Sequence, residues 1–316
     1  MIEDKLESAR RRDRCAARGH ASWLSRLFMH ALIVCAIAAF TACSNNDEDG
    51  DGSPTEPTPP TQGQEVRYAA IGASDALGVG GSVPCLPFTD CPSGTGYVQT
   101  VTRRLRDAGR TVTLLNLGIP GAVLGPDIEN LARELGRGTI GNFLERELPF
   151  VPRNSTLVTI FAGGNDVNIV GSAIEAGRGG SDPIAYAQGF VQGFGRDLST
   201  LVNGVRSRAP NARIVVLNLP NLAALPYVAN RPLDQRRIFQ TLAVSFSAQV
   251  NTLASQGVMV LDLMCDPRSY SPSNYSSDGF HPNDAGYAYL SELVYNAVTT
   301  GSAPPPRAQC AEMAIF

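Results

Sequence analysis

Residues 66–78 read VRYAAIGASDALG, an apolar run that stops at Gly72 and passes within two residues to Ser74 and Asp75. Only Arg67 interrupts it, so the run has the pattern of a strand buried on both faces of a parallel sheet. Four more such runs follow, at Thr111 to Leu117, Thr156 to Ala162, Ala212 to Leu219 and Val258 to Leu263. Helical stretches separate them, at Tyr97 to Ala108, Asp127 to Arg146, Ala185 to Arg208 and Leu233 to Ser255, with Asn283 to Thr299 after the fifth. Strand and helix in alternation argue a single α/β domain, residues 66–316, built as a three-layer sandwich around a five-stranded, mainly parallel sheet. Ligands of such sheets bind beyond the carboxyl ends of the strands. The polar residues that follow each run are therefore where chemistry is expected.

The 65 residues before that domain have a different character. The first 42 hold 7 of the 26 Lys and Arg, including Arg10, Arg11 and Arg12, and an apolar stretch runs from Leu27 to Phe40 before Thr41, Ala42 and Cys43. A basic region, an apolar region and small residues at the end describe a secretory signal, and the apolar stretch is too short for a good spanning helix. FTAC, ending at Cys43, resembles the lipobox of bacterial lipoproteins. That resemblance implies cleavage after Ala42, lipidation of Cys43 and an anchor in the cell envelope, with Ser44 in the next position favouring the outer membrane. A secreted or periplasmic protein is the alternative. Ser44 to Glu65, SNNDEDGDGSPTEPTPPTQGQE, has nothing to build a core and reads as a disordered tether. Its Asp47, Asp49 and Asp51 imitate the start of an EF-hand loop, but the twelfth position is Thr58 and no helices flank it.

Loss of residues 1–42 would narrow the chemistry. Lys5 is the only lysine, so no Schiff base, P-loop lysine or Ser-x-x-Lys arrangement remains. His20 and His30 go as well, which leaves His281 as the only imidazole and rules out a zinc site built on several histidines. No cofactor and no metal are expected. Charge is near balance, 26 basic against 29 acidic residues, so nothing argues for nucleic acid. Four cysteines remain besides Cys43. In an exported chain they read as two disulfides, Cys85 with Cys91 by proximity and Cys265 with Cys310 by remainder; metal ligation and free thiols are the alternatives.

The strand ends carry Gly72-Ala73-Ser74-Asp75, then Asn116-Leu117-Gly118-Ile119-Pro120-Gly121, then Gly163-Gly164-Asn165-Asp166, and finally Asp278-Gly279-Phe280-His281-Pro282. A serine attacks an ester only if a base takes its proton. His281 is the sole candidate of suitable pKa, and Asp278 stands three residues earlier to orient it. The backbone N–H groups of Ser74 and Gly121 and the side-chain amide of Asn165 are candidate donors for the oxyanion of a tetrahedral intermediate. Taken singly, each has an ordinary reading. A serine after a strand is a helix N-cap, Asn165 and Asp166 are turn residues, and Asp278-Gly279 is a turn dipeptide. It is their joint occurrence at strand ends that points to a site.

Together, AAIGASDALG, NLGIPG, GGND and DGFHP resemble the GDSL-like, or SGNH, hydrolase superfamily, whose marker residues Ser, Gly, Asn and His come in that order. The resemblance spans residues 66 to 290. It implies a flavodoxin-like sheet, metal-free hydrolysis and mostly carboxyl-ester substrates, with Ser74 as nucleophile, Gly121 and Asn165 as oxyanion donors and Asp278 and His281 completing the triad. There are two departures. Ala73 stands where the family usually has Asp, with Asp75 one place later, and Gly118 competes with Gly121 for the oxyanion role.

An α/β-hydrolase would announce itself with Gly-x-Ser-x-Gly, and Ser74 has Ala76 in the last position. The reading from a different class is a non-catalytic surface lipoprotein that binds a glycan or lipid, which turnover of p-nitrophenyl acetate separates from a hydrolase. Lipids, acetylated glycans and small esters are all candidate substrates. The segments expected to form the pocket are Gly81 to Gly96, Ala122 to Pro152, Gly171 to Asp182 and Asn221 to Pro232. The apolar Leu222 to Pro226 in the last, with Phe88 in the first, lean towards an acyl chain.

Overall fold

The computed structural model describes residues 65–138 and 141–316. The expected signal segment, the lipidation site at Cys43 and the tether lie outside them, with one exception. Glu65 was expected to end the tether, but its backbone pairs with Thr111, so it is the first residue of β1 (Glu65–Gly72). The other strands are β2 (Thr111–Asn116), β3 (Leu157–Phe161), β4 (Arg213–Leu217) and β5 (Met259–Leu261). They form one sheet in the order β2-β1-β3-β4-β5, with every pairing parallel. The helices are α1 (Ser74–Leu77), α2 (Tyr97–Asp107), α3 (Pro126–Glu134), α4 (Phe143–Arg146), α5 (Gly164–Glu175), α6 (Pro183–Arg208), α7 (Leu233–Asn251) and α8 (Asp284–Thr300). None of the described helices is long and apolar enough to cross a membrane.

Because strand side chains alternate in direction, β1 feeds two cores. Ala69 and Ile71 join Val158, Ile160 and Val216 under α3, α5, α6 and α7. Val66, Tyr68 and Ala70 join Val215, Leu217 and Leu261 under α2 and α8. Both faces of the sheet are covered, which is why its inner strands read as largely apolar runs, while the edge strand β2 alternates exposed Thr111 and Thr113 with buried Val112 and Leu114.

Two expectations need correcting. The stretch Asp127 to Arg146 is not one helix, because Gly136, Gly138 and Gly141 take left-handed backbone conformations between α3 and α4. The residues after β3 are more than a turn. Gly163, at φ +108°, swings the chain directly into α5, so that Asn165 and Asp166 form its first turn and Gly171, expected in a pocket loop, lies inside it. Leu222, Ala223 and Leu225 are buried, and Leu222 and Leu225 line a cavity that also reaches Asp75, as expected of a pocket segment.

Cys85 bonds to Cys91 and Cys265 to Cys310. Such bonds persist in oxidising surroundings, extracellular or periplasmic. The second ties the C-terminal tail to the segment after β5.

Candidate active site

The strand order reverses between β1 and β3, both neighbours at the centre of the sheet, and it is at such a reversal that α/β sheets open a crevice. Gly72 and Phe161 are register partners there. Ser74 follows the first by two residues and Asn165 follows the second by four, so the topology brings the Ser and Asn segments side by side.

Ser74 opens α1, where the first N–H groups of a helix have no intrahelical acceptor. Ala73, in the cap position, supplies no side-chain hydrogen bond, so the capping a carboxylate would give is missing. The turn is anchored from elsewhere. The Gly72 N–H donates to Glu147 Oε2 at 2.9 Å, and Asn116 Nδ2 donates to Ala76 O at 2.6 Å. Both anchors are fully buried. Burial pushes the Glu147 carboxyl well up, against the pull of the Gly72 N–H.

The glycine segment forms a turn from Ile119 to Ala122, closed by the Ala122 N–H donating to Ile119 O at 3.0 Å. Pro120 occupies its second position and Gly121, at φ +75°, its third, which is the residue choice of a type II turn. Gly118 donates its N–H to Asn116 Oδ1 at 3.1 Å, inside its own loop. Asn165 Nδ2 donates to Ala122 O at 2.8 Å, which fixes the amide and leaves its second N–H available. The neighbouring Asp166 accepts the Leu124 N–H at 3.0 Å. The glycine loop is thus held to α5 at two points.

The last segment closes over these. Ser74 Oγ lies 2.8 Å from His281 Nε2, and His281 Nδ1 lies 2.6 Å from Asp278 Oδ2. Asp278 Oδ1 accepts three further hydrogen bonds, from the N–H groups of Phe280 and His281 and from the Ser276 hydroxyl. Burial works against the Asp278 charge, but the His281 ring, these N–H groups and the hydroxyl together hold its pKa down at about 2. An ionised carboxylate at 2.6 Å requires the proton on Nδ1, so Nε2 is left as an acceptor facing the serine hydroxyl. Gly279, at φ +71°, is needed for space as well as conformation, since a Cβ there would lie 2.6 Å from the Tyr227 nitrogen. Tyr227 packs its ring on Phe280 and donates its N–H to Gly279 O at 3.1 Å.

The structure brings Ser74, His281 and Asp278 into one hydrogen-bonded chain and ties Asn165 to the loop of Gly121, whereas Cys43 lies outside the described residues. Glu147, Asp166 and Tyr227 were not anticipated. Glu147 reaches Gly72 across 75 residues of sequence, and nothing local marks it as buried. The GGND segment did include Asp166, but read as a turn.

The profile of the GDSL-like Lipase/Acylhydrolase family matches residues 70–289. The chain belongs to that family. Solved structures with the same fold include the extracellular lipase of Streptomyces rimosus, 18% identical with a TM-score of 0.52, which covers 74% of this chain and 100% of that one. The lipase Lip_vut3 from a goat rumen metagenome is 18% identical, with a TM-score of 0.51 and coverage of 77% and 100%. Phospholipase A1 of Streptomyces albidoflavus is 18% identical, with a TM-score of 0.50 and coverage of 75% and 99%. At this identity the likeness speaks to the fold. No curated protein matches the chain. Membership of the GDSL-like family makes this a hydrolase of the carboxyl-ester type.

Proposed function

We propose that this GDSL-like hydrolase cleaves carboxyl esters through an acyl-enzyme on Ser74. What carries the reading is the unbroken hydrogen-bonded chain from Ser74 through His281 to Asp278. As Ser74 Oγ bonds to the ester carbon, its proton passes to His281 Nε2 and the carbonyl electron pair moves onto oxygen. The N–H groups of Ser74 and Gly121 and the amide of Asn165 receive that oxyanion, each donor being worth about 3 kcal/mol. His281 then gives the proton to the departing alkoxide, and the ester C–O bond breaks. Water repeats the sequence on the acyl-enzyme and releases the acid. Asp278, held ionised, stabilises the imidazolium in both halves.

The test is Ser74→Ala, assayed with p-nitrophenyl acetate. A loss of about a thousandfold or more with an unchanged melting temperature is expected. Retention of more than about a hundredth of the rate rejects Ser74 as the nucleophile.

A second proposal concerns anchoring. Residues 1–42 act as an export signal and Cys43 carries a lipid, so Cys43→Ala blocks lipidation and the cleavage that depends on it, and intact-mass measurement should find residues 1–42 retained and no lipid attached. Wild-type protein found entirely in the soluble fraction rejects the anchor.

A further inference from the structure

Asp75 is the residue after the proposed nucleophile, and the mechanism above gives it no part. It is half-buried and lines a cavity of about 60 Å³ together with Phe161, Gly164, Phe280 and Pro282. The last two of these bracket His281. The turn that follows α1 presses on the same loop, for a Cβ at Gly80 would lie 2.7 Å from His281 Cβ and 2.6 Å from Pro282 O. Tyr287, from α8, donates its hydroxyl to Val79 O at 2.5 Å and closes the contact from the other side. The helix that carries Ser74 and Asp75 is thus packed directly against the loop that carries the base.

The Asp75 carboxylate takes no hydrogen bond from another residue among the described residues. Burial drives it towards the neutral form; the charge of His281 draws it back, and Asp278 opposes it more weakly. The remaining ionisable groups around it supply no positive charge. Tyr97 from α2, Tyr275 from the turn before the base loop and Tyr287 from α8 are held neutral, chiefly by burial. Arg268 lines the same cavity, but its guanidinium is engaged by Asp266 at 2.8 Å and by Glu292 at 3.1 Å. His281 is the cation left for Asp75 to answer.

We propose that Asp75 is a second carboxylate for the His281 imidazolium, acting through His281 alongside Asp278 and not on the substrate. Charge coupling is reciprocal: if the imidazolium favours the carboxylate, the carboxylate favours the imidazolium. Above the acid limb the imidazolium forms only as Ser74 gives up its proton, so there Asp75 stabilises the transition state more than the resting enzyme. This assignment rests on the proposed Ser74–His281–Asp278 mechanism.

The test measures kcat and KM against pH for the full-length protein and for Asp75→Asn and Asp75→Glu, with p-nitrophenyl acetate as substrate and thermal melting as the folding control. Asp75→Asn is expected to move the acid limb of kcat/KM down by roughly half to one pH unit. It should also lower kcat about tenfold with KM little changed. Asp75→Glu, which keeps the charge, should recover most of both. An unmoved acid limb in an Asp75→Asn protein that melts like wild type overturns the proposal. If Asp75→Asn does not fold, the smaller Asp75→Ser is read in the same way. If neither neutral variant folds while Asp75→Glu does, the residue is structural and the proposal is overturned. Ser74→Ala separates the two levels. Activity that survives in it rejects the site as a whole, whereas an inactive Ser74→Ala with an unmoved acid limb in Asp75→Asn rejects only the part given to Asp75.

Discussion

Asp166 holds the Gly121 loop to α5, with Oδ1 on the Leu124 N–H and Oδ2 buried without a partner. Burial outweighs the backbone donors and pushes its pKa up to about 7. A carboxyl whose pKa rises on folding binds its proton more tightly folded than unfolded. Its contribution to stability is therefore fully present below the unfolded value, about 4, and is lost as pH rises through about 7. Asp166→Asn keeps an acceptor for Leu124 and removes the titration. It should melt with wild type near pH 4 and above it near pH 8; parallel pH-stability curves for the two proteins would contradict the account. Asp278 has the opposite sign. Its pKa is depressed on folding, so its stabilisation is present above about pH 4 and is lost only as pH falls towards 2.

At the scale of elements, the oxyanion glycine and the base each belong to a turn whose sequence suits it. Pro120 and Gly121 build the oxyanion turn, and Asp278 and Gly279 build the turn that carries the base. Those turns and the five strands were legible because Gly, Pro and largely apolar runs act over a few residues. What joins the turns was not. Glu147 lies in LERELPF, where its charge reads as part of a solvated helix face, yet it sits fully buried on the Gly72 N–H. Helix α5 was hidden because Asn165, Asp166 and Asn168 mask the apolar stripe of Val167, Val170 and Ala173. Helices α3 and α4 read as one because the left-handed glycines between them look, in sequence, like tolerable interruptions. The apolar Leu222 to Pro226 pointed towards a pocket, and Leu222 and Leu225 do line the cavity beside Asp75, while Ala223 packs into the core.

For the molecule as a whole, the two cores fix the sheet and the Cys265–Cys310 bond fixes the tail. That bond closes a loop of 45 residues, a separation for which restriction of the unfolded chain is worth about 4 kcal/mol. The Cys85–Cys91 bond, 6 residues apart, is worth about 2 kcal/mol on the same basis. Replacing Cys265 and Cys310 by Ser should therefore lower the melting temperature by more than replacing Cys85 and Cys91, which differential scanning calorimetry measures. The reverse order would contradict the loop-length argument.

The claim on which the mechanism depends is that Ser74 is the nucleophile, and an alkyl fluorophosphonate reports on it directly. Ser74 Oγ bonds to phosphorus, fluoride leaves and His281 takes the serine proton, so the adduct marks whichever hydroxyl the base activates. Mass spectrometry of the digested, labelled protein should find one adduct, on Ser74, formed in step with the loss of esterase activity and absent from Ser74→Ala. An adduct on any other residue that tracks the loss of activity, or full inactivation of the enzyme with Ser74 unmodified, would contradict it.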